Sequence, residues 1–300
     1  MAIRSVVLAG STGTLAPAIL SALLSSRQFS VTIFTRDEQN THFPRGVNVI
    51  RVDYASVADM TTKLRGQDAV ISTLPIAAGA AQRFLICAAA AAGVKRFIPS
   101  EYGSRAVNWT VPAYTPKRTA QSLLESFAKE NKLSYTIICC GVLLDWGLEA
   151  GSPISLTQRT AELHDGGERV YSTTTLGTVA RVVVQVLRLA EQTENRVIQV
   201  AEAHTTLREL LAVAQDVVGR DEWRITMPNT QKVAEEAMKQ IKKHDLDHLT
   251  VMPFLAKGVW GRNGAAHFEK TDNELMGVQL LDRAGLKRVV EMVMRKQVMN

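Results

Sequence analysis

A glycine-containing turn between an apolar strand and a helix is the feature that most constrains this chain. The apolar residues 6–9 lead directly into Gly10, and Gly13 and Ala16 follow at intervals of three, which gives the pattern G-x-x-G-x-x-A. Gly10 permits a tight turn, Gly13 has no side chain to keep a pyrophosphate from the backbone, and Ala16 lets the helix pack closely. The pattern predicts a polyphosphate-binding turn made of Gly10, Ser11, Thr12, Gly13, Thr14 and Leu15.

The first half of the chain alternates between apolar strands and helices. We predict strands at 3–9, 31–35, 47–52, 68–74, 94–99 and 134–140, and helices at 13–26, 56–65, 79–92 and 117–130. Strands that are apolar throughout and rich in β-branched residues are typical of a parallel sheet covered on both faces. Because crossover connections are right-handed, the pattern predicts an α/β fold with a doubly wound parallel sheet, that is, a Rossmann fold.

The pattern changes after Gly141. A loop-rich stretch at 145–170 precedes predicted helices at 175–191, 206–219 and 230–243 and a strand at 196–200. We interpret residues 1–145 as a nucleotide-binding domain. Residues 146–300 would form mainly a smaller C-terminal α/β lobe that binds the substrate, with some segments returning to the Rossmann sheet.

Composition narrows the class of partner. The chain has 35 Lys and Arg residues against 29 Asp and Glu, and the charges are scattered, whereas a nucleic-acid site would cluster them. Its apolar runs are too short to span a membrane, and a strand that begins at residue 3 leaves no room for a leader peptide. Three cysteines do not form a disulfide framework, so Cys139 and Cys140 are predicted to be buried thiols. We expect a cytoplasmic monomer or homodimer that binds small molecules.

The residue after the second strand predicts the cofactor. Ligands of an open parallel sheet lie outside the carboxyl ends of the strands, where Arg36 follows residues 31–35. A guanidinium at this position suits a 2′-phosphate, whereas a free ribose hydroxyl is normally met by a carboxylate. Arg36 therefore predicts NADP (NADPH) over NAD, although Asp37 and Glu38 would repel a phosphate if they turned inward. The alternative is that Arg36 is a surface residue in a turn.

The residues at the carboxyl ends of the fourth and fifth predicted strands are candidate cofactor contacts. Ser72, Thr73 and Leu74 are suited to the underside of the cofactor, and the polar groups of Ser100 and Glu101 emerge where the nicotinamide would lie. We therefore predict that these five residues bind the cofactor.

Lys117 is the predicted catalytic residue. It follows Pro116, a residue that favours the first turn of a helix, so the positive end of the helix dipole disfavours its charge by about 0.3–1 kcal/mol. A lysine in this position beside a cofactor can serve as an acid or a base. The alternative is a solvent-facing lysine beside Arg118. Tyr114 lies three residues earlier, not the four that a dehydrogenase Tyr–Lys pair requires, so we predict a substrate-facing or packing role for it.

These motifs together resemble the NmrA-like family of atypical short-chain dehydrogenases, and in particular its isoflavone reductase and phenylcoumaran benzylic ether reductase branch. The resemblance rests on the G-x-x-G-x-x-A turn, Arg36, the string Phe-Ile-Pro-Ser-Glu-Tyr-Gly at 97–103, and Lys117. It implies that Arg36 binds the 2′-phosphate and that Lys117 contacts the cofactor and is the catalytic acid or base. The family's reductases often carry a second basic residue shortly after the arginine, whereas here Asp37 follows Arg36 directly. The chain also has Gly141-Val142-Leu143 where the family usually has Asn-Cys-Phe.

We therefore predict an NADPH-dependent reductase of a small, aromatic or secondary-metabolite-type substrate, for which Tyr102, Tyr114 and Trp146 are candidate contacts. The alternatives are a non-catalytic NADP-sensing regulator of the NmrA type and an NADP-containing isomerase or cyclase. No metal is predicted, because His244 and His248 form a pair without a third ligand.

Overall fold

The predicted alternation of strands and helices is present in the computed structural model, which describes residues 2–37, 43–44, 46–105, 114–241 and 248–299. The described strands are β1 (Ser5–Ala9), β2 (Ser30–Thr35), β3 (Asn48–Arg51), β4 (Ala69–Ser72), β5 (Arg96–Ile98), β6 (Ser134–Cys139), β7 (Val142–Leu143), β8 (Ile154–Ser155), β9 (Thr160–Glu162), β10 (Tyr171–Thr174), β11 (Arg196–Gln199), β12 (Ala203–Thr205) and β13 (Arg224–Thr226). The described α-helices are α1 (Ala16–Ser26), α2 (Val57–Leu64), α3 (Gly79–Ala92), α4 (Thr115–Lys129), α5 (Leu144–Ala150), α6 (Leu176–Arg188), α7 (Leu207–Val218), α8 (Thr230–Ile241), α9 (His248–Trp260), α10 (Asn273–Met276) and α11 (Arg283–Met299).

The central sheet has the strand order β3-β2-β1-β4-β5-β6-β11 in the described residues. Strands β1 to β6 pair in parallel, and β11 lies beside β6. The order reverses at β1, which is the Rossmann arrangement and places the ligand-binding edge at the carboxyl ends of β1 and β4. Val6, Val7 and Leu8 have no exposed surface, as expected of a strand covered on both faces. The predicted fold class is confirmed.

The chain divides into two compact units. The first contains residues 1–102, 114–139 and 179–198, and the second contains residues 103–113, 140–178 and 199–300. The segment 179–198 lies within the range 146–300, from which some segments were expected to return to the Rossmann sheet. It carries most of α6 and β11, and β11 extends the central sheet. In its described part, the second unit holds two three-stranded sheets, in the orders β12-β10-β7 and β13-β9-β8.

One predicted helix boundary and one stretch predicted to be loop-rich are corrected. Helix α1 begins at Ala16 and not at residue 13, because Gly13 N donates to Gly10 O (3.2 Å) and closes a turn first. Pro17, which has no N–H to donate, then lies in the first helical turn, where it fits best. The stretch 145–170, predicted to be loop-rich, contains α5, β8 and β9. These two strands have only two and three residues, too few to give a periodic pattern.

A buried arginine joins the segment 179–198 to the rest of its unit. Arg96, on β5, has no exposed surface and donates to Ser134 and Thr136 of β6, at 2.9 and 2.8 Å. It also donates to Ala190 O (2.6 Å) and Thr193 Oγ1 (3.2 Å), beyond the end of α6. Burial lowers its pKa to about 10, so the guanidinium remains charged at neutral pH. Its hydrogen bonds therefore hold β5, β6 and the end of the α6 connection together.

Replacing this guanidinium should destabilise the fold. We expect Arg96→Met to cost about 3 kcal/mol, because it leaves Ala190 O buried without its donor, and to lower the melting temperature by about 5–10 °C. Arg196→Met, which alters an exposed arginine nearby, is the control and should change stability by less than about 0.5 kcal/mol. Thermal unfolding followed by circular dichroism measures both, and equal shifts would contradict the role assigned to Arg96.

Candidate functional site

The turn after β1 requires glycine at its first position for two reasons. Gly10 has φ +89°, and a Cβ atom there would lie 2.8 Å from the carbonyl carbon of Thr73. Thr73 fixes this close approach, because its N–H and its hydroxyl donate to Ala9 O (2.8 and 2.9 Å) and its hydroxyl also donates to Gly10 O (3.0 Å). The residue after β4 thus shapes the turn after β1.

The rest of the turn presents an exposed arc. Thr12, Gly13 and Thr14 are exposed, whereas Ser11 and Leu15 on either side are buried. A Cβ atom at Gly13 would come no closer than 3.6 Å to a described protein atom, so packing does not explain the absence of a side chain. The arc is therefore the part of the turn that is open to a ligand, and a bare backbone there suits a pyrophosphate.

Arg36 lines an open cleft at the carboxyl ends of β2 and β3. The Thr35 hydroxyl donates to Asp37 O (2.9 Å) and accepts from Asp37 N (3.2 Å), and this tight turn presents Arg36 to solvent. The cleft has a volume of about 840 Å³ and is also lined by residues 51–55, by Asp59 and Lys63 of α2, and by four residues between 78 and 84. It is large enough for a nucleotide. Glu38, also considered above, lies outside the described residues.

A glutamine that the sequence did not single out links the ends of β4 and β5. Gln82, in the alanine-rich helix α3, accepts from the Ser72 hydroxyl and from Ser100 N, both at 2.9 Å. Ser72 is fully buried, and its hydroxyl donates to Gln82. Its role is therefore to support the edge of the sheet. A lone polar side chain on a helix face gives no sequence signal of such a contact, since the contact depends on how α3 packs.

Glu101, which is buried, and Lys117, which is half-buried, form an ion pair. Lys117 Nζ lies 3.6 Å from Glu101 Oε2, and the two side chains are 16% and 6% exposed. Burial raises the pKa of the Glu101 carboxyl, an effect that the Lys117 charge opposes. Glu101 Oε1 has no hydrogen-bond partner among the described residues, so that oxygen does not offset the cost of burial.

The first turn of α4 is held in place by close packing on α3. Lys117 is the third residue of α4, directly after Pro116. A Cβ atom at Gly79 would lie 2.5 Å from Pro116 Cβ, so only glycine allows the two helices to approach this closely. The starts of α3 and α4 are therefore fixed against each other, and Lys117 with them.

The three candidate substrate contacts lie in different surroundings. Tyr102 is half-buried in the first unit, and Trp146 is half-buried in α5 of the second. Tyr114, the N-cap residue of α4, is only 2% exposed, and burial raises the pKa of its hydroxyl.

Neither a metal-binding cluster nor a membrane-spanning helix occurs in the described residues. No group of three or more His, Cys, Asp or Glu side chains there could hold a metal ion. The predicted pairing of His244 with His248 falls on a residue, His244, outside the described ranges. Among the helices described, none combines the length and the apolar character needed to cross a bilayer.

Comparison with known proteins gives concordant matches. Residues 10–190 match a family model described as NAD(P)H-binding. Oxidoreductase poxI from Penicillium oxalicum is 30% identical over 270 residues, which cover 87% of this chain and 85% of the relative. Leucoanthocyanidin reductase from Vitis vinifera, solved as a complex with NADPH, superposes with a TM-score of 0.76 at 17% identity, over 95% of this chain and 99% of that one. An isoflavone reductase structure gives 0.75 at 15% identity, over 98% and 99%. The resemblance and the fold predicted from the sequence are confirmed.

The Gly10 turn gives a matched test of steric constraint. Gly10→Ala should lower the melting temperature more than Gly66→Ala, because both glycines have positive φ (+89° and +80°) but no described atom lies within 4 Å of a Cβ at Gly66. The control should lose about 1 kcal/mol from backbone strain alone, and Gly10→Ala about 1–3 kcal/mol more from the clash with Thr73. Equal losses in thermal unfolding would show that the close approach does not constrain residue 10.

Proposed function

The chain belongs to the NAD(P)H-binding family, and we propose that it is an NADPH-dependent reductase of a small, aromatic or secondary-metabolite-type substrate. Lys117 is the residue that delivers the proton, and the enzyme works in the cytosol as a monomer or homodimer. The observation that carries the proposal is the buried pair of Lys117 and Glu101. The oxidoreductase relative at 30% identity agrees with this class of reaction.

The residues of the first unit fit the cofactor. The exposed arc at 12–14 and the close approach at Gly10 suit the pyrophosphate, and the cleft beside Arg36 suits the adenosine end with its 2′-phosphate. Thr73 and Leu74, adjacent to the turn, would line the cofactor. The proposed cofactor-binding set is Gly10, Ser11, Thr12, Gly13, Thr14, Leu15, Arg36, Ser72, Thr73, Leu74, Ser100, Glu101 and Lys117, within which Ser72 acts as buried support.

The position of Glu101 beside Lys117 bears on whether the lysine is proposed as an acid or a base. The positive end of the α4 dipole disfavours an ammonium by about 0.3–1 kcal/mol. A carboxylate at about 4 Å favours it by roughly 4 kcal/mol at an effective dielectric constant of about 20. Because the Glu101 carboxylate would counter a positive charge on Lys117, we propose the acid over the base among the two roles considered.

In the proposed reduction, Lys117 and Glu101 have different roles. NADPH supplies the hydride when it is bound. The Lys117 ammonium donates a proton to the oxygen that gains negative charge as a carbonyl is reduced, and the Glu101 carboxylate remains beside it as the counter-ion. Tyr102 and Trp146 are proposed substrate contacts, and Tyr114, at 2% exposure, acts through packing.

The buried pair also separates this function from its alternatives. A sensor that binds NADP without turnover has no need of an ammonium buried against a carboxylate, a pair that is costly to bury. An isomerase or cyclase would use the lysine without consuming NADPH. Net loss of NADPH absorbance with aromatic ketones, quinones or conjugated enones therefore supports the reductase, whereas substrate conversion without such loss supports the isomerase.

Removal of the Lys117 amino group should lower the rate far more than it weakens cofactor binding. We expect Lys117→Met to lower kcat by at least about 100-fold, within the usual range for a lost acid catalyst, with the Kd for NADPH changed less than about 3-fold. Lys129→Met, an exposed lysine in the last turn of the same helix, is the control and should retain wild-type kcat. Full activity in Lys117→Met would remove this residue from the mechanism.

The pH dependence of the rate should report Glu101. Since burial raises its pKa above the usual 4.5, the rate should fall on the acid side at a pH higher than an ordinary glutamate would give, as the carboxylate takes up a proton. Glu101→Gln imitates that protonated state at every pH. We expect a kcat lowered by about 10-fold and no acid limb from residue 101.

Glu101→Asp keeps the carboxylate. It should retain the acid limb of the pH–rate profile and part of the wild-type kcat. An unchanged acid limb in Glu101→Gln would show that another group controls it.

A further inference from the structure

Two arginines face the cleft beside β2 and β3, and only one of them was expected from the sequence. Arg36 follows β2, and Arg51 is the last residue of β3. Both are exposed, and both line the cleft. A phosphate monoester carries a charge of about −1.5 to −2 at pH 7, more than a single guanidinium neutralises.

The strand register brings the two arginines to the same edge. β2 and β3 are parallel, with Thr35 opposite Arg51, and Val52 N donates to Thr35 O (2.8 Å). Arg36 therefore comes directly after Thr35, the residue that pairs with Arg51, and the two strands lie about 4.8 Å apart. Both side chains line the same cleft at this edge of the sheet.

A tyrosine fixes the chain that follows Arg51. The Tyr54 hydroxyl donates to Phe34 O of β2 (3.2 Å), which holds residues 52–55 against that strand. Burial raises the pKa of Tyr54 to about 12, so the hydroxyl keeps the proton that it donates. The backbone that carries Arg51 is thus tied to the backbone that carries Arg36.

The other charges of the cleft largely balance among themselves. Lys63 Nζ contacts both oxygens of Asp59 (2.6 and 2.8 Å), and Asp59 also accepts from Asp53 N (3.0 Å). The Asp53 carboxylate accepts from Ala55 N (2.9 Å) and leaves one negative charge against the two guanidiniums. The residues that line the cleft therefore carry a net positive formal charge.

We propose that Arg51 is a second cation for the 2′-phosphate of NADPH and shares with Arg36 the discrimination of NADPH from NADH. The inference rests on the proposed function, because it assumes the 2′-phosphate cofactor. Two guanidinium forks on one phosphate give charge neutralisation and directed hydrogen bonds together. Arg51 thus supplies the second positive charge that the chain lacks at position 37, where an aspartate stands.

Isothermal titration with cofactor fragments tests this without any substrate. Adenosine 2′,5′-bisphosphate carries the 2′-phosphate, and 5′-AMP lacks it. We expect Arg51→Gln to weaken binding of the bisphosphate about 10-fold and of 5′-AMP less than about 2-fold, as for one lost charge-assisted contact. Arg51→Lys, which keeps the charge but not the fork, should give an intermediate loss. Arg65→Gln removes one exposed positive charge outside the cleft and should affect both ligands less than about 2-fold.

The variants separate this inference from the proposed function. Arg36→Gln should also weaken binding of the bisphosphate more than binding of 5′-AMP. The double variant should lose less affinity for the bisphosphate than the product of the two single losses, because both side chains contact one group. If Arg36→Gln is selective and Arg51→Gln behaves like Arg65→Gln, the role of Arg51 is overturned while NADPH remains the cofactor. If the wild type binds the bisphosphate no better than 5′-AMP, the NADPH assignment itself fails. Unchanged melting temperatures of the variants exclude misfolding as the cause.

Discussion

The hydrogen bonds at the carboxyl end of β4 join the two parts of the candidate site. Thr73 directs its N–H and hydroxyl toward β1 and so shapes the turn at Gly10. The preceding residue, Ser72, directs its hydroxyl the other way to Gln82, which also accepts from the N–H of Ser100. Successive side chains of a strand point to opposite faces, so two adjacent residues can serve both neighbours. A displacement of β4 would therefore disturb the turn at Gly10 and the end of β5 at the same time.

Helix α3 extends this connection to the proposed proton donor. It provides Gln82 on one side, and its first residue, Gly79, receives Pro116 at the start of α4. The many alanines of α3 leave room for such approaches, and Ala88 and Ala89 are fully buried. A site fixed on helices and strands holds its groups more accurately than one built on mobile loops. The low side-chain volume of α3 thus allows the close packing that positions Lys117.

Local patterns sufficed to predict part of this site. The first six strands, the turn at Gly10 and the position of Lys117 after Pro116 are properties of short stretches, and residue type and spacing are enough to find them. Gln82 and Arg51 were missed, because their importance depends on helix packing and on the register between β2 and β3. The return of β11 to the central sheet depends on pairing with a distant strand, and the local pattern does not specify the partner. Sequence reasoning succeeded where the constraint is local and failed where it is long-range.

The two charged parts of the site differ in solvent exposure, and this difference fits their different tasks. Arg36 and Arg51 are exposed, so salt and water screen them, and they can attract an anionic cofactor from solution and also release it. Lys117 and Glu101 are shielded from solvent, where charges interact more strongly and a lost partner is costly. An exposed pair suits reversible binding, and a buried pair suits a fixed protonation state. Under the proposed function, the same unit would separate recognition of the cofactor, by exposed arginines, from proton donation, by a lysine beside a buried carboxylate.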